Sequence, residues 1–261
     1  MKQKRALVTG AGKRLGRAMA LYLGDRGFDV AVHYNGSDDA AEEVAETIRG
    51  MGRTAQALQA DLLDEDAVQG LLPRAAEALG GPVTLLVNNA SIFDWDDIRS
   101  ATRDSWDRHM ESNLRAPFVL IQTLAAQAPE AETDEAGEPL ASALAINMID
   151  QRVRKLTPGF MTYTLAKAGL WTLTRTAAQA LAPQVRVNAI GPGPTLQGAR
   201  QSDQHFAAQR AATVLGRGSN PADITGALGY FIDAPGVTGQ LLCTDGGQHL
   251  GWKTPDVQGP E

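Results

Sequence analysis

Cysteine, long apolar runs and basic clusters are all scarce in this sequence, and each absence narrows what the protein can be. The chain has 261 residues and one cysteine, Cys243, so neither an intrachain disulfide nor a redox pair of thiols can form. No apolar stretch approaches the roughly 20 residues that span a bilayer, and no long basic run accompanies the net charge of −6. We therefore expect a cytoplasmic globular protein with no membrane segment and no nucleic-acid partner.

Histidine is sparse as well, and the chain lacks a serine-nucleophile pattern of the hydrolase type. The histidines show no metal-ligand spacing among themselves or with Cys243, so no metal site is predicted; they are His33, His109, His205 and His249. Hydrophobic residues make up 43% of the chain and charged residues 21%, which is ordinary for a globular protein with a substantial core.

Short apolar or β-branched runs alternate with longer alanine-rich amphipathic segments along the chain. The runs predict strands at residues 6–9, 30–34, 55–60, 85–88, 143–148, 186–189 and 241–244. The longer segments predict helices at residues 15–26, 38–50, 65–79, 105–127, 157–181, 203–212 and 221–232. This alternation is typical of a doubly wound α/β fold, with one parallel sheet of about seven strands and helices on both faces. We expect one domain over residues 1–252 and a tail at 253–261.

Two irregular stretches interrupt the alternation. Residues 129–139 are rich in Glu and Asp and contain two prolines, which indicates a solvated loop. Residues 191–201 are rich in Pro and Gly and are expected to be mobile. They follow a strand at its carboxyl end, where open α/β sheets bind ligands. The tail beyond Trp252 is also rich in Pro and Gly, so we expect poor order there unless another subunit holds it.

A glycine-rich turn follows the first predicted strand and reads Thr-Gly-Ala-Gly-Lys-Arg-Leu-Gly over residues 9–16. Glycines 10, 12 and 16 allow a tight turn and let backbone N–H groups and a helix N-terminus approach a pyrophosphate. An ordinary β-α turn could have this composition. Its place between the first strand and an alanine-rich helix favours a dinucleotide site.

The end of the second predicted strand lacks the acidic residue that usually holds the ribose diol of NAD. It reads Val-His-Tyr-Asn-Gly-Ser over residues 32–37. Lys13 and Arg14 add positive charge from the glycine turn. NADP(H) is therefore the favoured cofactor, with Asn35 and Ser37 able to hydrogen-bond a 2′-phosphate. Ser37 could equally be a helix cap, which does not exclude that role.

Two further strand ends carry polar residues. Asp61 and Leu62 end the third strand, where a side chain can reach an adenine edge. Asn88-Asn89-Ala90-Ser91 ends the fourth strand, close to where the ribose of the cofactor would lie. Paired asparagines can also simply stabilise a turn.

Tyr163 and Lys167 stand four residues apart in a helical segment, so they share one helix face. A lysine ammonium there can stabilise negative charge that develops on the phenol, which makes Tyr163 a usable proton donor near neutral pH. Asp150 lies upstream. If ionised it would oppose tyrosinate formation, and if protonated it could pass a proton on. Alternatively, Asp150 caps local backbone at a strand end.

Together these features resemble the short-chain dehydrogenase/reductase family over residues 7–247. The motifs that carry the resemblance are the glycine turn, Asn88-Asn89-Ala90, Asn113, Tyr163-x-x-x-Lys167, Asn188, Pro192-Gly193 and Thr244-Asp-Gly-Gly247. The resemblance implies a Rossmann-like domain and, by pairing of the outer helices between subunits, a homotetramer.

The same resemblance implies roles for individual residues. Tyr163 would donate the proton. Lys167 would hold the nicotinamide ribose and lower the pKa of Tyr163, and Asn113 would support a water relay behind Lys167. The implied cofactor-binding set is Gly10, Lys13, Arg14, Leu15, His33, Tyr34, Asn35, Ser37, Asp61, Leu62, Asn89, Ala90, Ser91, Lys167, Pro192, Gly193 and Thr195.

Two departures from the family pattern resemble its pteridine-reductase branch. Arg14 replaces the middle glycine of the turn, and Asp150 replaces the usual catalytic serine. By this resemblance Phe93 would stack a flat pterin against the nicotinamide, and the substrate-binding set is Arg14, Ser91, Phe93, Asp150 and Tyr163. Phe93 could instead be a core aromatic. Gly36 stands where the branch usually has Arg, so the choice between NADPH and NADH stays open at this position.

Three hypotheses about function follow from the sequence. The first is NADPH-dependent reduction of a pteridine or a similar flat heterocycle, since reduction of a ring C=N bond needs a hydride on carbon and a proton on nitrogen. The second is a general NAD(P)H-dependent carbonyl reductase or alcohol dehydrogenase, in which Asp150 merely replaces serine. The third is an NADP(H) sensor without turnover, which would have no need of the proton-donor residues.

Overall fold

A computed structural model describes residues 4–198 and 201–252 of the protein. The predicted tail at 253–261 and part of the irregular stretch 191–201 therefore lie outside the described residues. The strands are β1 (Arg5–Val8), β2 (Asp29–Tyr34), β3 (Ala55–Gln59), β4 (Leu85–Asn88), β5 (Glu132–Thr133), β6 (Pro139–Leu140), β7 (Ala143–Met148), β8 (Val185–Pro192) and β9 (Leu241–Thr244). The helices are α1 (Arg14–Asp25), α2 (Asp38–Gly50), α3 (Glu65–Ala78), α4 (Arg103–Met110), α5 (Ala116–Gln127), α6 (Met161–Leu181), α7 (Asp203–Ala211) and α8 (Pro221–Asp233).

Seven strands form one parallel sheet in the order β3-β2-β1-β4-β7-β8-β9. The strand order changes direction between β1 and β4, and open α/β sheets bind ligands beside the carboxyl ends of the strands at such a switch point. The predicted single-domain, Rossmann-like α/β fold with about seven parallel strands is confirmed.

Successive side chains along each strand point to opposite faces of the sheet, so they pack into two hydrophobic layers, one on each face. In β1, Ala6 and Val8 pack in one layer and Leu7 packs in the other. The first layer is completed by α1, α2 and α8, and the second by α3, α5 and α6. Since both faces are covered, the polar ends of the central strands are left to form the site.

The predicted helix at 105–127 is interrupted in the structure. A π-helical turn over Glu111–Arg115 separates α4 from α5, and it contains the predicted site residue Asn113. π-Helical turns widen the backbone hydrogen-bond pattern and occur frequently at functional sites. The apolar periodicity of the sequence continues through this segment, so it could not predict the change from α-helical to π-helical hydrogen bonding.

The predicted helix at 157–181 begins four residues late, at Met161. Pro158 disfavours helical geometry at the residue before it, and Phe160 adopts the left-handed conformation, with φ 59° and ψ 47°. The irregular stretch 129–139 is not a plain loop either. It contains the short antiparallel pair β5–β6, closed by a turn in which the Asp134 carboxylate accepts from the backbone N–H groups of Ala136 and Glu138.

Candidate active site

A cavity of about 290 Å³ lies at the carboxyl ends of β1, β4, β7 and β8. The described residues that line it are Arg14, Leu15, Asn89, Ser91, Phe93, Met148, Ile149, Asp150, Tyr163, Lys167, Pro192 and Gly193. Ten of these were predicted as site residues, so the structure brings together segments far apart in the sequence. A larger groove of about 620 Å³, between α8 and β9, contains none of the predicted residues.

Tyr163, Lys167 and Asp150 converge on one side of the cavity. Tyr163 and Lys167 project from the same face of α6, and both are buried. The Tyr163 hydroxyl donates to Asp150 Oδ2 at 3.1 Å, and Lys167 Nζ donates to the carbonyl of Met148 at 2.9 Å. Asp150 Oδ1 also accepts from the backbone N–H of Arg152 at 2.8 Å. Asp150 therefore caps local backbone and also contacts the tyrosine, and its role in passing a proton stays a prediction.

Burial shifts all three groups away from their charged forms. It raises the pKa of Asp150. It also raises the pKa of Tyr163 well above the ordinary value of 10, and the negative charge of Asp150 adds to this shift. The pKa of Lys167 falls to about 8 because burial disfavours the ammonium, although Asp150 partly offsets this. The site thus favours a protonated tyrosine next to a carboxyl that is easier to protonate than usual.

Burial and Asp150 set the direction of the Tyr163 pKa, so the lowering expected from Lys167 stays a prediction. The lysine ammonium lies 5.7 Å from the centre of the Tyr163 ring, while burial and Asp150 dominate the tyrosine pKa and raise it. Arg152 is one cation that acts to lower that pKa. Arg152 was not predicted as a site residue, although its position two residues after Asp150 was a usable signal.

Phe93 presents one face to the cavity region and is not a core aromatic. Its side chain is 46% exposed. One face of its ring is stacked on Phe160, with ring centres 4.2 Å apart and planes parallel to within 1°, and its ring meets Tyr163 edge-on at 4.7 Å. The guanidinium of Arg152 lies 5.0 Å from the Phe160 ring centre, behind the stack. Phe160 was also missed, because nothing local links it to residue 93.

Ser91 and Asn113 connect the loop after β4 to this side of the site. The Ser91 hydroxyl donates to the Ile92 carbonyl at 3.3 Å, and its proximity acts to lower the pKa of Tyr163. Asn113 is fully buried, and its side-chain amide exchanges two hydrogen bonds with the backbone of Ile92, at 2.9 and 3.0 Å. The side chain of Asn113 is thus engaged with the loop rather than with Lys167. The water relay predicted for Asn113 stays a prediction.

The glycine turn forms a close-fitting cradle on the other side of the cavity. Gly10 has a φ of +62°, and a Cβ at Gly16 would lie 2.1 Å from the carbonyl oxygen of Gly10, which only glycine avoids. Asn89 holds the turn through hydrogen bonds from Nδ2 to the carbonyls of Thr9 and Gly10, at 2.8 and 3.2 Å. Arg14 also has a positive φ, of 53°.

The Arg14 guanidinium also has partners within the protein. It donates to the backbone carbonyls of Leu196 and Gln197, at 3.0 and 2.8 Å. Arg14 therefore bridges the glycine turn to the segment after β8, across the mouth of the cavity. Lys13, its neighbour, is exposed and occupies the N-cap position of α1.

The side chain of His33 connects the end of β2 to the glycine turn. The ring is buried; its Nδ1 accepts from the Gly10 N–H at 3.0 Å and its Nε2 contacts the Ala60 carbonyl at 3.1 Å. Burial lowers the pKa of His33 to about 4, so the ring is neutral. Both ring nitrogens are thus used within the protein, and the cofactor contact predicted for His33 stays a prediction. Its role is to position the turn.

The residues expected to bind the adenosine half of a cofactor differ in their exposure to solvent. Tyr34 is half-buried and Asn35 exposed, and Ser37 occupies the N-cap of α2 without a side-chain capping hydrogen bond. Asp61 is half-buried and accepts from the Leu63 N–H at 3.0 Å. The side chain of Leu62 is buried in the second hydrophobic layer, and the cofactor contact predicted at this position stays a prediction.

The segment after β8 closes the remaining side. Pro192 and Gly193 line the cavity, and a Cβ at Gly193 would lie 2.6 Å from that of Asp245. Thr195 is buried, and its hydroxyl donates to the Gly193 carbonyl at 3.0 Å. Ala90 packs beside the turn, 3.1 Å from where a Cβ at Gly10 would stand. Among residues 4–198 and 201–252, no helix is long and apolar enough to span a membrane.

A glycine-cradled cavity at the switch point of a Rossmann-like sheet, with a buried Tyr-Lys pair beside it, defines a nucleotide-dependent oxidoreductase. Residues 10–249 match the family model described as enoyl-(acyl carrier protein) reductase. The protein belongs to the short-chain dehydrogenase/reductase family, as the motifs predicted.

Individual relatives agree with this assignment. The chain is 32% identical to a 3-oxoacyl-[acyl-carrier-protein] reductase from Staphylococcus epidermidis, over 95% of this chain and 99% of the relative. It is 42% identical, with a TM-score of 0.90, to the FolM alternative dihydrofolate reductase 1 from Brucella suis in complex with NADP, which covers 98% of both chains. A short-chain dehydrogenase from Burkholderia cenocepacia, in complex with NADP, is 31% identical with a TM-score of 0.85, over 94% of this chain and 97% of that one.

Proposed function

We propose that this oxidoreductase uses NADPH to reduce a C=N bond in a flat heterocycle of the pteridine type, such as dihydrobiopterin, dihydromonapterin or a dihydrofolate. The observation that carries the proposal is the hydrogen bond of 3.1 Å between Tyr163 and Asp150, at the edge of an exposed Phe93 ring. Similarity to an alternative dihydrofolate reductase at 42% identity supports it.

The described residues fit an NADP(H) cofactor. The cradle of Gly10 and Gly16 has no room for side chains, as a pyrophosphate site requires. The end of β2 has no carboxylate at the ribose position and is followed by Asn35 and Ser37, which suits a 2′-phosphate, and Lys13 in the glycine turn adds an exposed positive charge. NADPH, when bound, supplies the hydride. Solved relatives that are 31–42% identical contain NADP, which agrees with this assignment.

Asp150 suits reduction of a ring nitrogen because the buried carboxyl can itself carry a proton. When Asp150 is protonated, its hydroxyl donates to Tyr163, and the phenol O–H is then free to point at a substrate nitrogen. The ring carbon gains the hydride, the nitrogen gains the phenol proton, and Asp150 returns a proton to the tyrosinate. Lys167 and Arg152 provide positive charge that stabilises the transient anion.

The open face of Phe93 supplies a surface for a flat ring. Phe160 covers the other face and keeps the plane fixed, so the ring is already oriented before a ligand arrives. Stacking between a heterocycle and an aromatic side chain contributes about 0.5–1.5 kcal/mol. Ser91 and Arg14 stand beside this face with hydrogen-bonding groups.

A carbonyl reductase is the second candidate, because the chain is 32% identical to a 3-oxoacyl-[acyl-carrier-protein] reductase. Under that hypothesis Asp150 only replaces a serine, and Asp150→Ser should preserve or improve ketone reduction. Under the pteridine hypothesis the same substitution should damage pterin reduction. The discriminating experiment is a screen of pterins, folates and ketones with NADPH and with NADH, using both forms of the enzyme. Turnover of ketones alone would overturn the pteridine assignment, and robust turnover of any substrate excludes a sensor without activity.

We infer a homotetramer from the family resemblance. Trp106 on α4 and Leu165 on α6 are 42% and 44% exposed, which supports pairing of these helices between subunits. Sedimentation equilibrium of the wild type and of Leu165→Glu tests this: a tetrameric wild type and a smaller variant are expected, and a monomeric wild type would contradict it.

A further inference from the structure

The catalytic helix α6 begins without a cap of its own. Phe160, at its N-cap position, has a left-handed backbone and no side-chain capping hydrogen bond, and the first turn contains no acidic residue. Bulky residues rarely adopt this conformation and do so where the surrounding structure enforces it. The first N–H groups of α6 therefore need an acceptor from elsewhere.

Asp96, which is 66 residues away in sequence from Thr162, supplies that acceptor. Its Oδ1 accepts from the Thr162 N–H at 3.1 Å, and its backbone carbonyl accepts from the Met161 N–H at 3.3 Å. Its Oδ2 accepts from the hydroxyls of Thr162 and of Ser105, the latter at the start of α4. Asp96 is 3% exposed. Burial by itself would raise its pKa, but these hydrogen bonds lower it, so the carboxylate stays ionised.

His109 supports the same junction from α4. It is buried, and its Nε2 accepts from the Asp94 N–H at 3.1 Å. A neutral ring then carries its proton on Nδ1, which donates to the Thr162 hydroxyl at 2.7 Å. The loop at residues 91–97, which we call the substrate loop, is thereby attached to the start of α6 at two points, at Asp94 through His109 and directly at Asp96.

These bonds determine which groups meet over the cavity. Phe93 belongs to the substrate loop, and Phe160 and Tyr163 flank Thr162 at the start of α6. The parallel stack of Phe93 on Phe160 at 4.2 Å, and its edge contact with Tyr163 at 4.7 Å, both cross the junction that Asp96 closes. A shift of either segment would separate the proton donor from the face on which a substrate ring rests.

We propose that Asp96 is a positioning residue: as a remote cap of α6 it holds the Phe93 face in register with the Tyr163 hydroxyl. Asp96 lines no part of the cavity and does not touch the substrate. This inference rests on the proposed function for the identity of the flat substrate, but the register itself does not depend on which substrate is used.

The test uses Asp96→Asn and Asp96→Ala in the full-length enzyme, with Asp97→Asn as a matched control. Asp97 is the adjacent acid, and its carboxylate bonds only within the turn to Arg99 and Ser100 among the contacts found for it. Hydrogen exchange of a peptide that contains Met161 and Thr162 should become faster in both Asp96 variants and not in the control. This measurement needs no substrate.

The kinetic arm measures kcat and KM for the best substrate of the screen, together with the Kd for NADPH. We expect kcat/KM to fall about 10- to 100-fold in Asp96→Ala, with an unchanged Kd for NADPH. In a Phe93→Ala background, Asp96→Ala should lower kcat/KM much less, because the aromatic face that Asp96 positions is already absent. An equal loss in both backgrounds, a parallel loss of NADPH affinity, or faster exchange without any kinetic effect would each overturn the proposal. Failure of pterins as substrates would instead overturn the proposed function, and the best ketone then serves for this arm.

Discussion

The two halves of the site are held together by different means. The cofactor half depends on backbone sterics: Gly10 with its positive φ, and Gly16 packed against the Gly10 carbonyl. The substrate half depends on side-chain contacts between distant segments, such as Tyr163 with Asp150 and Phe93 with Phe160. Substitutions in the cofactor half should therefore change cofactor affinity with little effect on turnover. Substitutions in the substrate half should change turnover with little effect on cofactor affinity.

The largest effect is expected from Tyr163→Phe. Loss of the phenol removes the proton donor, and general-acid groups of this kind contribute about 10²–10⁴-fold to the rate. We expect kcat to fall by that factor while the Kd for NADPH, measured by cofactor fluorescence, stays unchanged. Tyr230→Phe, on the exposed face of α8, is the matched control and should have no effect. A large loss of NADPH affinity in Tyr163→Phe would contradict the view that the substrate half and the cofactor half act separately.

Gly16→Ala tests the cofactor half. The new Cβ would lie 2.1 Å from the Gly10 carbonyl oxygen and 2.6 Å from Asn89 Nδ2, so the turn must move. We expect NADPH affinity to fall about 10- to 100-fold and the free energy of unfolding to fall by about 1–3 kcal/mol.

The control for Gly16→Ala is Gly70→Ala in α3, where nothing lies within 4 Å of the added methyl group. That variant should be neutral or more stable by about 0.5–1 kcal/mol, because alanine favours a helix interior. Titration calorimetry and urea unfolding measure both. Normal NADPH affinity in Gly16→Ala would show that the cradle is not a pyrophosphate site.

The same contrast explains what the sequence could predict. Features that depend on local spacing can be predicted from the sequence. The glycine spacing at residues 10–16 and the four-residue spacing of Tyr163 and Lys167 are of this kind. Alternation of apolar runs located every strand of the main sheet, with β4, β7 and β9 correct at both ends. The apolar period also continued through the π-helical turn at Glu111–Arg115, which it therefore concealed.

Residues that act through tertiary contacts show no such local spacing. Phe160 and Arg152 are adjacent to Phe93 and Asp150 only after folding, and Asp96 caps a helix that begins 65 residues later. His33 was predicted from its place at a strand end, but the turn of the neighbouring strand uses its ring nitrogen. The position of a residue at the end of a strand predicted that it lies near the site. It could not predict which atoms its side chain contacts.

Asp150→Asn probes the substrate half through stability. Because burial raises the pKa of Asp150 above its ordinary value of 3.8, the folded state favours the protonated acid. This stabilisation is present below about pH 4 and is lost as the pH rises through the raised pKa. An asparagine resembles the protonated form, so we expect Asp150→Asn to be more stable than the wild type near pH 8 and to match it near pH 4.

Urea unfolding across this pH range measures the difference. Asp97→Asn is the control with the opposite sign, because hydrogen bonds from Ser100 lower the pKa of Asp97 and favour its ionised form. A wild type that is more stable than Asp150→Asn near pH 8 would contradict the raised pKa of Asp150, and with it the proton supply to Tyr163.

The smallest expected effect is a shift in the pH dependence of turnover. Burial lowers the pKa of Lys167 to about 8, so the ammonium is charged below that pH and neutral above it. Since a neutral amine no longer stabilises a transient tyrosinate, kcat for reduction should fall above about pH 8. Lys167→Arg keeps its charge at all these pH values, so its kcat, although lower throughout, should stay level through this range. Lys155→Arg, on the exposed loop after Asp150, should leave the wild-type profile unchanged. If the fall near pH 8 persisted in Lys167→Arg, the titrating group would be another residue, and the charge that assists Tyr163 would have to come from Arg152 alone.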